Sequence, residues 1–108
     1  MDIYRIKAQH IQNGVPVPGQ FLELVAGLTS PGFIAQGDWY GVVVDQAEFH
    51  PFVLTQNGYC QYAGDKTQVR HCTIVARPVV VDEIFEITWA DAEDRYGYQV
   101  VSVGRLNA

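Results

Sequence analysis

Residues that favour extended backbone (Val, Ile, Thr, Phe, Tyr and Trp) recur along this chain in short runs, interrupted by Gly, Pro, Asn or Asp about every ten residues. That rhythm predicts an all-β fold, a small antiparallel barrel or sandwich of six to eight strands. The first run, Asp2 to Gln9, sets Ile3, Arg5 and Lys7 on one face against Tyr4, Ile6 and Ala8 on the other, as a half-buried strand requires. Asn13-Gly14 marks a turn, and Pro16, Pro18 and Gly19 exclude a helix before Gln20. Over residues 20 to 28, Phe21, Leu24, Val25 and Leu28 recur at helical spacing with Gly27 near the end, so a short helix near 20–27 is favoured over a strand.

Beyond the Gly/Pro-punctuated loop Thr29 to Asp38, strands are expected at Trp39 to Val44 and at His50 to Thr55, where Pro51 requires an edge or a strand start. A hairpin spans Tyr59 to Ala76 with its tip at Ala63 to Thr67, and Val79 to Val81 resumes pairing after Pro78. A last pair, Ile84 to Trp89 and Tyr98 to Val103, flanks the polar loop Ala90 to Gly97. With 108 residues and 48% hydrophobic side chains, the chain is expected to form a single domain with a core that needs no staples.

Charge narrows the function. Between Asp82 and Asp94 stand Asp82, Glu83, Glu86, Asp91, Glu93 and Asp94 with no Lys or Arg among them, and residues 8 to 65 also lack Lys and Arg. The net charge is −5. A negative field of this kind repels phosphate backbones and anionic membranes and attracts cationic partners, so neither nucleic acid nor membrane is expected as a partner. No apolar run approaches the roughly 20 residues of a membrane span. The amino terminus has no cationic segment followed by an apolar run, and a cytoplasmic location is expected.

Catalytic signatures are missing: no nucleophile elbow, phosphate-binding loop, dinucleotide fingerprint or zinc-protease motif occurs, and the only serines are Ser30 and Ser102. Cys60 and Cys72 flank the predicted hairpin tip. A three-residue loop would set them opposite each other as a redox pair within bridging reach, and a two-residue loop would set Cys60 opposite His71. Two small buried hydrophobes is the simpler reading, with the thiols reduced in a cytosolic setting. His10, His50, His71, Cys60 and Cys72 fit no zinc spacing, and Asp91 to Gly97 departs from a calcium loop, so neither metal nor other cofactor is expected. Carboxylate pairs drawn from Asp82, Glu83, Asp91 and Glu93 arise by chance among 12 acids.

The reading favoured by these observations is a non-catalytic acidic module that docks on a basic surface of a partner protein, in the manner of an inhibitor or immunity protein; that comparison is one of size and charge. Glu83, Glu86, Asp91, Glu93 and Asp94 would steer, with Tyr96 and Phe33 as anchors. The alternative is a small-molecule or carbohydrate-binding β module with a pocket lined by Trp39, Tyr40 and Tyr62. A third class is a small enzyme using Cys60 with His71 or His50. Homo-oligomers are compatible with all three. Trp39, Phe85 and Trp89 are expected in the core, and Tyr40, Tyr96 and Phe33 at the surface.

Overall fold

Eight antiparallel strands close into a barrel in which each strand pairs with its sequence neighbour and the last with the first. The structure, a computed structural model, describes residues 2–62, 69–89 and 95–106. The strands are β1 (Asp2–Gln12), β2 (Val15–Leu28), β3 (Trp39–Asp45), β4 (Glu48–Leu54), β5 (Tyr59–Tyr62), β6 (Val69–Cys72), β7 (Ile84–Trp89) and β8 (Arg95–Arg105), with a 3-10 turn, Thr73–Ala76, between β6 and β7. The predicted tip Ala63 to Thr67 and the acidic residues Asp91, Glu93 and Asp94 lie outside the described residues.

Strand alternation sorts the side chains. Ile6 and Ala8 of β1, Leu22, Leu24 and Ala26 of β2, Phe52 and Leu54 of β4, Phe85 and Ile87 of β7 and Val100 of β8 fill the interior. The lower end is sealed by the loop after β2 and the segment around the 3-10 turn. Ala35 donates its N–H to Gly27 O and Val79 to Gly32 O, each at 2.8 Å, burying Ala35, Ile74 and Val79 beneath the strands. Val79 therefore caps the barrel, and Val79 to Val81 lie outside the strands and do not resume pairing. Trp39 is half-buried beside this cap, its indole N–H donating to Ala35 O at 2.8 Å.

The helix expected near 20–27 is a strand. Leu22, Leu24 and Ala26 point inward at period two, but the outward Phe21 and Val25 are also apolar and hide the alternation. On the outside of β2, β3 and β4, register forms three rows: Phe21, Val44 and Phe49; then Glu23, Val42 and Pro51; then Val25, Tyr40 and Val53. Phe21 and Val25 thus belong to an outer apolar face, and their spacing to Leu24 and Leu28 mimics a helical stripe. Pro51 is tolerated because its described pairing is to β3 only; pairing to β5 begins at Phe52.

The β5–β6 register differs from both sequence alternatives. Tyr59 faces His71 and Cys60 faces Arg70, so Cys60 and Cys72 are diagonal neighbours. Diagonal positions stand about 7–8 Å apart, at the outer limit for a disulfide. Both thiols are free and buried, and the hydrogen bond with Cys72 together with burial pushes the Cys60 thiol far above its ordinary range. Neither thiol should react with a disulfide reagent such as Ellman's reagent until the protein unfolds; stoichiometric labelling of the native state would contradict this packing.

Candidate functional site

The interior changes character toward the upper end. His10 continues the inward parity of Ile6 and Ala8, and its ring lies 5.2 Å from Tyr98, which stacks on Phe85 at 5.7 Å. Across the barrel, Arg70 follows the inward parity of Cys72, its guanidinium 4.8 Å over the ring of Tyr62, which in turn packs on Phe52. Burial pushes the Tyr98 hydroxyl up to about 12, and it pushes Tyr62 further still, with the Arg70 charge opposing both shifts. Both values are raised in the folded state. Their stabilisation is therefore complete below the ordinary tyrosine pKa of 10.0; that of Tyr98 is lost as pH rises through about 12, and that of Tyr62 at higher pH still. Two of the six tyrosines should resist ionisation near pH 10 in a phenolate absorbance titration, and the chain should unfold cooperatively above that range. Ionisation of all six together while the chain stays folded would contradict it.

A cleft of about 800 Å³ opens beside this polar end. Its construction begins with a break in the β1–β2 ladder: β1 advances from Gln9 to Ile11 while β2 runs from Phe21 back to Pro16, so Val17 to Gln20 leave the ladder. Two glutamines hold the excursion. The Gln9 side-chain amide donates to Val17 O at 2.6 Å and Gln20 O at 2.9 Å, and Gln46 donates through its backbone to Gly19 O and through its side chain to Pro18 O. Beyond the excursion, Asn13 and Gly14 take positive φ values of 54° and 78° and turn the chain at the cleft's edge.

The floor is Gly97. Flanked by Ile11 of β1 and Glu86 of β7 in the ladder, it leaves a gap where any other residue would place a side chain, and a Cβ there would meet Ile11 Cγ1 at 3.4 Å. His10 Nδ1 lies 2.9 Å from Gly97 O; since a carbonyl only accepts, Nδ1 carries the hydrogen and Nε2 is an acceptor in the neutral ring. On one wall stand Gln12, Asn13 and Gln20, on the other Arg77, Ile84 and Glu86, with Arg95 and Tyr96 above. Thr73 fixes the Glu86 backbone: Glu86 N–H donates to Thr73 Oγ1 at 2.9 Å, and that hydroxyl reaches Glu86 O at 3.4 Å. Arg77 Nη1 donates to Glu83 Oε1 at 3.2 Å.

Glu86 and Tyr96 thus meet in the cleft, and Glu83 lies behind it as the partner of Arg77. Phe33 is exposed on the lower cap loop, at the opposite end of the barrel from Tyr96, so the two do not anchor one surface. The pocket proposed from Trp39, Tyr40 and Tyr62 does not form. Trp39 and Tyr62 pack against the core, whereas Tyr40 alternates to the outside and is 70% exposed. Nor do the thiol dyads form: buried Cys60 and exposed His71 sit on opposite faces, and His50 lies four residues along β4 from the position facing Cys60, about 14 Å away. His50 is paired instead with Glu48 at 3.4 Å. Among the described residues no group of His, Cys, Asp and Glu is arranged to hold a metal ion.

Sequence reasoning misses Gln12, Gln20, Arg77 and Arg95, and it names His10 only as a histidine that fits no zinc spacing. Parity alone marks His10, two residues past Ala8; the others reach the cleft through the excursion and the closure of β8 on β1, which leave no local pattern. No protein-family model, curated protein or solved structure matches the chain.

Proposed function

We propose that this protein is a non-catalytic binding barrel that holds a small hydroxylated ligand, of the size of one or two sugar rings, in the cleft over Gly97. The carrying observation is the lining: amides from Gln12, Asn13 and Gln20, guanidinium groups from Arg77 and Arg95, the Glu86 carboxylate and the ring of Tyr96 around a space of about 800 Å³. That volume lies within the range of about 300–1,000 Å³ common to ligand sites. Planar groups with paired donors or acceptors match vicinal hydroxyls, and an accessible tyrosine ring offers a flat apolar surface with a polar tip for the C–H face of a sugar. The chemistry of this lining suits recognition, since among its described residues no nucleophile stands beside an activating base.

Isothermal titration with a panel of neutral and acidic mono- and disaccharides tests the reading. Binding with Kd between about 1 mM and 1 µM is expected for a subset, weakened roughly tenfold or more by Tyr96→Ala and by Glu86→Gln. Absence of binding across the panel, or binding indifferent to both substitutions, would refute it.

A further inference from the structure

We infer that His10 sets the selectivity of the cleft: its Nε2 is a fixed hydrogen-bond acceptor that takes a hydroxyl or amide N–H of the bound molecule and turns away a group that can only accept. This selectivity rests on the cleft being a saccharide site, and it adds a binding residue to the amides, guanidinium groups, carboxylate and tyrosine ring already assigned there. His10 is only 7% exposed, yet it lines the cleft. Its ring is held on several sides: Nδ1 donates to Gly97 O at 2.9 Å, and the rings of Tyr98 and Tyr96 lie 5.2 Å and 5.9 Å away. No hydrogen bond of the described residues reaches Nε2, and that atom is not sealed from solvent, so it opens to the cleft.

What separates His10 from the rest of the lining is that its role cannot reverse. The amides of Gln12, Asn13 and Gln20 each present both a donor and an acceptor and can turn to suit a ligand, and the guanidinium groups of Arg77 and Arg95 only donate. A neutral imidazole has one donor and one acceptor, and which nitrogen carries the hydrogen is decided by the bond the other makes. Gly97 O is a backbone carbonyl and can only accept, so the hydrogen stays on Nδ1; moving it to Nε2 would set two lone pairs against each other at 2.9 Å. Packing between Tyr96 and Tyr98 then holds Nε2 in place before any ligand arrives, which lowers the ordering cost of the bond it makes. A site built to hydrogen-bond one hydroxyl rejects an analogue lacking that donor far more strongly than an apolar wall discriminates by size.

Long-range proton–nitrogen spectra of the histidine rings test the acceptor directly. His10 should show Nδ1 protonated and Nε2 bare, and the Nε2 resonance should move when a binding sugar is added from a set of glucose, galactose, N-acetylglucosamine, glucuronate, maltose and lactose. Monodeoxyfluoro derivatives of that sugar replace one donor at a time with a group that only accepts. One of them should bind the wild-type protein at least about tenfold more weakly than its parent. His10→Asn keeps an amide N–H that can reach Gly97 O and lacks the acceptor beyond it; it should bind the parent about tenfold more weakly and distinguish the two sugars by no more than about twofold. His10→Gln, which returns an acceptor at the distance of Nε2, should regain part of the affinity. The opposite tautomer, a sugar that binds with the His10 ring unmoved, or wild-type affinity in His10→Asn would each overturn the assignment, and the ring spectra decide it even where His10→Asn does not fold. A ring that responds while Tyr96→Ala and Glu86→Gln leave affinity unchanged keeps His10 and refutes the lining proposed above; a set in which nothing binds removes both.

Discussion

Gly41→Ala should lower stability by on the order of 3 kcal/mol and the melting temperature by roughly 10–20 °C. Gly41 faces inward on β3, opposite Leu24 on β2 and Phe52 on β4. A Cβ at this position would lie 2.5 Å from Phe52 Cζ and 2.7 Å from the backbone oxygen of Glu23. The ring can rotate or shift, but the carbonyl belongs to a ladder and cannot move without breaking β2–β3 pairing. Phe52→Leu in the Gly41→Ala background should therefore recover only part of the loss. An unchanged melting temperature for Gly41→Ala would mean that the strands do not approach as described, and full recovery by Phe52→Leu would place the strain on the ring alone.

Gly97→Val should abolish ligand binding in the cleft while costing far less stability than Gly41→Ala. The backbone of Gly97 does not need positive φ, and the closest atom to an added Cβ is the Ile11 side chain at 3.4 Å, which can give by a few tenths of an ångström. The isopropyl group would then occupy the floor between Ile11 and Glu86 and displace the ligand. A loss of at least tenfold in affinity is expected by titration calorimetry, with a change in melting temperature of only a few degrees. Retained affinity would show that the ligand does not sit over Gly97.

The strands were legible where one face of the barrel is polar. Alternation places Ile84 to Trp89 at its observed bounds and Asp2 to Gln9 as the larger part of β1, because Glu86 and Thr88 in one, and Arg5 and Lys7 in the other, alternate with buried apolar residues. β2 was not legible: Phe21 and Val25 point outward yet are as apolar as Leu22 and Leu24, so period two disappears and a false helical period takes its place. The hairpin register was one further residue away from the nearer of the two turn lengths considered, and that shift moved Cys60 from opposite His71 to opposite Arg70. Of the cleft, Glu86 and Tyr96 were visible as surface residues near an acidic run. The rest depends on a ladder break and on β8 closing against β1, both products of long-range pairing.

Acidic composition first directs attention to Glu83, Glu86 and the loop after Trp89 as a surface for a basic partner. Within the described residues, Glu83 is held by Arg77, and Glu86 faces a cleft it shares with two guanidinium groups. Among the described residues the acidic run is therefore interleaved with guanidinium groups, Arg77 beside Glu83 and Arg77 and Arg95 around the cleft that Glu86 lines.

The most direct test of the cleft as the binding site is an amide chemical-shift map recorded during titration with whichever saccharide of the panel binds most tightly. Shifts should concentrate at Gln12 to Gly14, Gln20, Glu86 and Tyr96 to Gly97, with the strands at Tyr40 and Phe49 silent. Shifts confined to residues outside the cleft, or none at concentrations well above the measured Kd, would contradict the account.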